Sequence, residues 1–363
     1  MTVALQKALT LVLLLGLGVL LRRKLKHPEA LGGLKEIILS VALPSTIFLA
    51  LLKIEMDLSM ILIPIITLLF NLIIFYTIPF CFPFFGVEKS GPAGRTMMLL
   101  VPSLAPGLSC FPFIAEFLGP ESLATAALAD IGNKVFVLVF LYVIALNMFM
   151  GNSLQQNERT GTKVKKLFSS LLKEPVNLVI IAAIILLSLG FKYSSLPAVI
   201  ADLVEKTSAL MTPLVLLFIG LAVQWRESRR KLVITVLFFR AGITMLISAA
   251  MINILHINAP HLILLAIVVP QSSTSFWPLA HISAFHHREN ELGLSMEKRS
   301  FDMELAILTL GFSLPFSTLL ILGILSTGTF FIHSQTLVAT GFLLMFAGAL
   351  PYIRTRVHRF SRT

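Results

Sequence analysis

Val101-Pro102-Ser103-Leu104-Ala105-Pro106-Gly107-Leu108-Ser109-Cys110-Phe111-Pro112 interrupts one long apolar segment, and Val269-Pro270-Gln271-Ser272-Ser273-Thr274-Ser275-Phe276-Trp277-Pro278 interrupts another roughly half a chain later. Both stretches are polar and bracketed by prolines, which remove backbone donors and break helices. A bilayer offers nothing to hydrogen-bond the groups so released. Such breaks therefore survive at membrane depth only where protein buries them or where they line a wet cavity. Two of them in matching places point to the substrate site of a transporter.

The rest of the chain reads as membrane-embedded. Hydrophobic residues make up 56%, charged residues 13%, and the mean hydropathy is +0.91, against about 25% charged residues in a soluble domain. Apolar runs near the ~20 residues needed to span fall at about 3–21, 31–52, 58–85, 96–118, 123–150, 175–191, 203–223, 232–255, 262–285, 302–325 and 335–353, eleven candidate helices. Threading them alternately collects Arg22 to Lys26, Lys89, Arg95, Arg159 to Lys173, Arg226 to Lys231, Arg288 to Arg299 and Arg354 to Arg362 on one side. The other side holds little beyond Lys7, Lys53, Lys192 and Lys206. The positive-inside rule then sets a multi-pass cell-membrane protein with its N-terminus outside and its C-terminus cytoplasmic. It also explains the net charge of +11 without nucleic acid. The basic cluster at Arg22 to Lys26 follows the first apolar run, so no cleavable signal is expected. Cys81 and Cys110 have no partner spacing, and neither a disulfide nor a metal site is expected.

Within 151–174, Val164, Leu167, Phe168, Leu171 and Leu172 recur at helical spacing beside Lys163, Lys165, Lys166 and Lys173, either a short amphipathic helix on the lipid surface or a solvated basic loop. The stretch divides the chain into a first five-helix unit over 1–150 and a second over 175–325, with 326–363 as an added helix and tail. The units repeat each other. Helix 2 carries Pro44 in Ser40-Val-Ala-Leu-Pro44-Ser where helix 7 carries Pro213 in Ser208-Ala-Leu-Met-Thr-Pro213, and Ala127-Leu-Ala-Asp-Ile-Gly132-Asn-Lys-Val aligns with Ala306-Ile-Leu-Thr-Leu-Gly311-Phe-Ser-Leu without a gap. Asn71 in helix 3 aligns with Arg240 in helix 8. Five being odd, the second unit enters the membrane in the opposite sense, which makes an inverted repeat.

Leu39-Ser-Val-Ala-Leu-Pro44-Ser-Thr-Ile-Phe, Leu-Leu-Lys-Glu-Pro175-Val-Asn-Leu, Met211-Thr-Pro-Leu-Val-Leu-Leu-Phe-Ile-Gly-Leu and the Val-Pro270 pair resemble the auxin efflux carrier family of permeases, also called PIN-like transporters. The bile-acid sodium symporters share that overall plan. The resemblance implies an all-α polytopic fold whose fourth and ninth helices are broken and cross near the bilayer centre, between a scaffold and a moving bundle. It implies an organic-anion cargo: auxin in plants, small dicarboxylates such as malate or malonate in bacterial relatives. The His286 to Arg299 stretch and helix 11 depart from the family pattern.

A charge mid-helix costs about 2.5–3.5 kcal/mol on insertion scales, so each needs a reason. Asp130 and Lys134 are one helical turn apart with Asn133 beside them, and Arg240 sits about eight residues, roughly 12 Å, into helix 8. Lys134 or Arg240 would anchor a substrate carboxylate and Asp130 would carry the coupling proton or sodium ion; a structural ion pair and a snorkelling arginine are the other readings. Restarted half-helices offer free N–H groups to an anion. Ser103, Pro106, Gly107, Ser109, Gln271, Ser272, Ser273, Thr274 and Ser275 would complete the substrate site, unless their hydroxyls merely satisfy kinks. His281, His286 and His287 read as a solvated loop rather than a metal cluster. No Gly-rich phosphate loop, HExxH or GxSxG motif occurs. The expected protein is a secondary transporter, not an enzyme, with no cofactor, and a homodimer stays open. A sodium-coupled bile-acid-type symporter and a non-transporting sensor on the same fold are the alternatives.

Overall fold

The computed structural model describes residues 3–22, 24, 28–53, 62–152, 175–222, 229–291 and 299–360. Every regular element among them is helical. In chain order these are α1 (Val3–Leu21), α2 (Pro28–Ile37), α3 (Leu43–Leu52), α4 (Leu62–Thr77), α5 (Pro92–Leu100), α6 (Pro106–Ser109), α7 (Phe111–Phe117), α8 (Gly119–Val135) and α9 (Leu141–Asn152). The second half supplies α10 (Pro175–Ser188), α11 (Ala198–Ala209), α12 (Met211–Ala222), α13 (Arg230–Ile254), α14 (Pro260–Val268), α15 (Phe276–Glu291), α16 (Met303–Ser326) and α17 (Ser334–Phe360). The amphipathic stretch 163–173 lies outside the described residues.

Among the described residues, seven helices are long and apolar enough to cross a membrane: Leu31–Leu52, Leu62–Phe85, Gly119–Gly151, Ala198–Leu221, Arg230–Ile254, Met303–Ser326 and Ser334–Pro351. The chain is thus a multi-pass membrane protein. Of the other four expected spans, two are the shorter apolar helices Leu9–Leu21 and Leu178–Ser188, and two are the interrupted segments α5–α7 and α14–α15.

Local chemistry explains where helices start and bend. Proline stands in the first turn of α3, α5, α6, α7, α8 and α14, where a missing N–H costs nothing. Ahead of Pro44 the helix widens into a π turn over Ile38–Ala42, and a second π turn, Phe136–Phe140, follows the Asp130–Lys134 segment. The Asp302 carboxylate caps α16 by accepting from the Leu305 N–H at 3.0 Å. Gly132 allows α8 to lie against α4, since a Cβ there would come within 1.9 Å of the Pro64 carbonyl oxygen. Helix α17 packs chiefly along α13, where a Cβ on Gly242 would stand 2.5 Å from the Gly341 oxygen.

Two apolar cores result, and they divide by depth. One joins α1, α3, α10 and α12 to α7, α14, the first half of α8 and the Ile254 and Ser326 ends of α13 and α16. The other joins α4, α5, α9, α15 and the first halves of α13 and α16, and among the described residues receives nothing from α1–α3 or α10–α12. Both halves of the chain contribute to each core. Below the second core Arg95 Nε donates to the Ser300 oxygen (2.7 Å), Ser300 N to the buried Glu289 carboxylate (2.8 Å) and Asp302 N to Thr96 Oγ1 (2.9 Å), tying the ends of α5, α15 and α16 together. Helix α15 runs to Glu291, so His281, His286 and His287 are helical. His281 is buried, with its ring nitrogen 3.1 Å from the Val137 oxygen and its ring edge-on to Tyr142, so it is not part of a solvated loop.

Candidate functional site

The two interrupted segments meet. Residues 103–105 and 273–275 lie outside the helices and pair in opposite chain directions: the Ala105 N–H donates to the Ser273 oxygen at 2.8 Å, and the Ser275 N–H to Ser103 Oγ at 3.0 Å. The Ser273 N–H donates to Ser109 Oγ at 2.8 Å. The Cys110 thiol reaches the Val268 oxygen at 3.5 Å. Backbone groups that lipid could not satisfy are thus satisfied by the opposite break, as burial at membrane depth requires.

Neighbouring helices take up what remains. On the first break, Asn133 Nδ2 donates to the Leu104 oxygen (3.0 Å) and to Asp130 Oδ1 (2.8 Å), while its own Oδ1 accepts from Asn71 Nδ2 (3.1 Å). Arg240, buried on α13, donates from Nη2 to the Ser103 oxygen at 3.2 Å. On the second break, Gln271 Nε2 donates to the Ala241 oxygen (3.0 Å) and Thr244 Oγ1 (2.8 Å). Thr274 shares a hydroxyl pair with Ser313 of α16 at 2.7 Å, and its N–H also donates to Ser313 at 3.2 Å. Ser103, Ser109 and Ser272 turn their hydroxyls onto the oxygens of Leu100 (2.6 Å), Ala105 (2.9 Å) and Val269 (2.7 Å).

Beside this junction a cavity of about 480 Å³ opens between α2–α3, α6, α8 and the start of α15. Of the residues the sequence singled out, Pro106, Gly107, Asp130, Asn133, Lys134 and Ser275 line it. Ser103, Ser109, Arg240, Gln271, Ser272, Ser273 and Thr274 do not. Of these, Ser103, Ser109 and Ser273 join the two breaks, Arg240, Gln271 and Thr274 tie them to α13 and α16, and Ser272 bonds within its own break. Arg240 in particular is anchored on a backbone carbonyl of the first break.

The cavity also contains residues that sequence reasoning missed. Lys35 lines it from α2, and its Nζ stands 4.0 Å over the Phe276 ring at the start of α15, a cation–π contact that spans the cavity. Trp277 forms a further wall. The signal for Lys35 was present: Lys35-Glu36 is a charged pair inside the apolar run 31–52. Ser313 was legible too, because the Gly132–Gly311 alignment sets it level with Lys134.

Electrostatically the site is mixed. Lys134 Nζ lies 3.7 Å from Asp130 Oδ2, longer than a charge-assisted hydrogen bond. Asp130 is engaged at both oxygens, by Asn133 and by Lys134. Glu36 accepts from Ser40 Oγ at 2.6 Å. The N-terminus of α15, with Ser275, Phe276 and Trp277, adds the positive end of a helix dipole. Leu39, Leu43, Leu108 and Val137 make the remaining wall apolar. Such a chamber fits a small amphipathic ion whose charge meets Lys35, Lys134 and a helix end. No metal-binding group of His, Cys, Asp or Glu occurs among the described residues.

No family model matches the chain, and no curated protein matches it.

Proposed function

We propose that this protein is a secondary transporter that carries a small organic anion by alternating access, as a divergent relative of the auxin efflux carriers. In this reading the chain is two inverted five-helix repeats, and the broken helices 4 and 9 cross where 103–105 meets 273–275. The observation that carries it is the junction itself: two polar breaks, one from each half of the chain, hydrogen-bonded to each other beside a cavity with two lysines.

Helices α1–α3 and α10–α12 form the scaffold, and the others move against it. They share a core with the moving helices on the Leu52 side of α3, and among the described residues none on the other side. The chamber opens in that gap, near Lys35, so the conformation is the one open to the cytoplasm. Lys134 and the α15 N-terminus hold the anion, Lys35 closes over it through Phe276, and Asp130 carries the coupling proton.

Uptake of radiolabelled mono- and dicarboxylates into proteoliposomes tests this. Lys134→Met and Lys35→Met are expected to abolish uptake while the protein remains monodisperse, and Asp130→Asn to leave exchange but remove its dependence on a proton gradient. Wild-type uptake in both lysine variants would overturn the site, and gradient-coupled uptake in Asp130→Asn would leave that carboxylate a structural partner of Lys134.

A further inference from the structure

A second cavity, of about 220 Å³, lies on the far side of Leu104, bounded by α4 and α8 from one half of the chain and α13 and α14 from the other. We infer that it holds an acyl chain of a phospholipid from the surrounding bilayer, inserted so that its end rests against the two breaks. The lining is apolar throughout its depth, with Phe70, Leu104, Leu265, Val269 and Pro270 at the inner end. Only Thr67 and Thr125 bring hydroxyls, and these are already donated to the Ile63 oxygen (3.0 Å) and the Glu121 oxygen (3.1 Å). A water needs two to four polar partners, and the lining offers little beyond the remaining lone pairs of these two hydroxyls. Left empty, the cavity would forfeit the dispersion contacts of its whole lining.

The mouth identifies the occupant. Leu255 and Leu262 line the cavity and are exposed, and their neighbours Ile254 and Leu62, at the ends of α13 and α4, are exposed as well. These side chains stand at helix ends beside the exposed His256, Asn258 and His261, the level at which headgroups meet tails, so a lipid seated there can send one chain inward along the cavity. A chain entering there needs no polar partner and gains contact with every wall. Leu104 lines both this cavity and the polar one, and its carbonyl is held by Asn133. The site stands on this geometry whether or not the polar chamber carries an anion.

The full-length protein reconstituted with a phospholipid bearing a diazirine at the end of one acyl chain tests the inference by photolabelling and peptide mapping. Labelling is expected to concentrate on Met251, Leu265 and Ala266 of the cavity, above the level at Phe342 and Phe346, which are exposed on α17 and serve as bulk-lipid references. The double substitution Thr67→Phe with Thr125→Phe fills the cavity and should lower that labelling about tenfold, the equivalent of excluding two buried methylenes, with the α17 references unchanged. Equal labelling of cavity and references in the wild type overturns the inference by itself, even if the filled variant fails to fold. Undiminished cavity labelling in a folded variant overturns it too.

Discussion

The two breaks solve one problem in different ways. The first, 103–105, has its oxygens taken by an amide and a guanidinium from other helices, Asn133 to Leu104 and Arg240 to Ser103. The second, 269–275, uses mainly hydroxyls and an amide of its own: Ser272 on Val269, Thr274 on Ser313, Gln271 on Ala241 and Thr244. The richer polar run is therefore largely turned inward, with Ser275 the one of its polar residues 271–275 on the chamber. The plainer break, with Pro106 and Gly107 following it, faces the chamber. Density of polar residues in a membrane segment measures how much backbone must be satisfied, and does not by itself mark where a ligand sits.

That contrast can be broken most forcefully at Asn133. Asn133→Leu removes a partner from Asn71, Asp130 and the Leu104 oxygen at once. With about 1–3 kcal/mol for each buried group left unsatisfied, a loss of about 3–5 kcal/mol is expected in reversible unfolding of the detergent-solubilised protein. Ser313→Ala, the corresponding lesion on the second break, takes the partner of both the Thr274 N–H and the Thr274 hydroxyl, and should cost about 1–3 kcal/mol, less than Asn133→Leu because two groups rather than three lose a partner. Equal losses would remove the asymmetry.

A finer test compares two serines. The Ser103 hydroxyl bridges the Leu100 oxygen and the Ser275 N–H, whereas Ser273 joins the junction through its own N–H and oxygen. Ser103→Ala should lower stability by about 1–2 kcal/mol, and Ser273→Ala should stay within about 0.5 kcal/mol. The same assay reads both, and a reversed order would mean that the second break depends on its hydroxyls more than its backbone.

The smallest effect lies at the far end of α15, the helix that continues the second break. Burial first, and then the charge of Arg299, lower the His286 pKa from its ordinary 6.5, against a smaller opposing pull from Glu289. The folded protein then binds fewer protons than the unfolded one. Stability is present above 6.5 and declines as pH falls below it. His286→Gln should flatten the melting temperature between about pH 8 and pH 5.5 relative to wild type. A wild-type slope retained in this variant would assign the dependence to another group.

Much of the architecture was legible in the sequence. Hydropathy over 20-residue windows located the seven long apolar helices, and prolines flanking polar residues located both interruptions to within a few residues. Asp130, Asn133 and Lys134 were visible because a polar group in an apolar helix is costly enough to need a partner. The sequence also overextended the polar content of the site, for Ser272, Thr274, Gln271 and Arg240 are polar for the sake of the backbone around them. Lys35 escaped notice because five residues inside a span it passes for an interfacial charge, and only the approach of Phe276 from the other half of the chain makes it part of a chamber.

What the sequence determined by itself is therefore what depends on neighbours along the chain: helix length, helix interruption, and the requirement that released N–H and C=O groups find partners. Tertiary structure decided which partners they found. That choice depends on the rotation of each helix about its axis and on close approaches such as Gly132 to the Pro64 oxygen. A rotation by one residue exchanges a wall of the chamber for its backing while leaving hydropathy unchanged. The separation of the polar chamber from the apolar cavity by Leu104 is of this kind, since its walls come from both halves of the chain and no single stretch of sequence contains them.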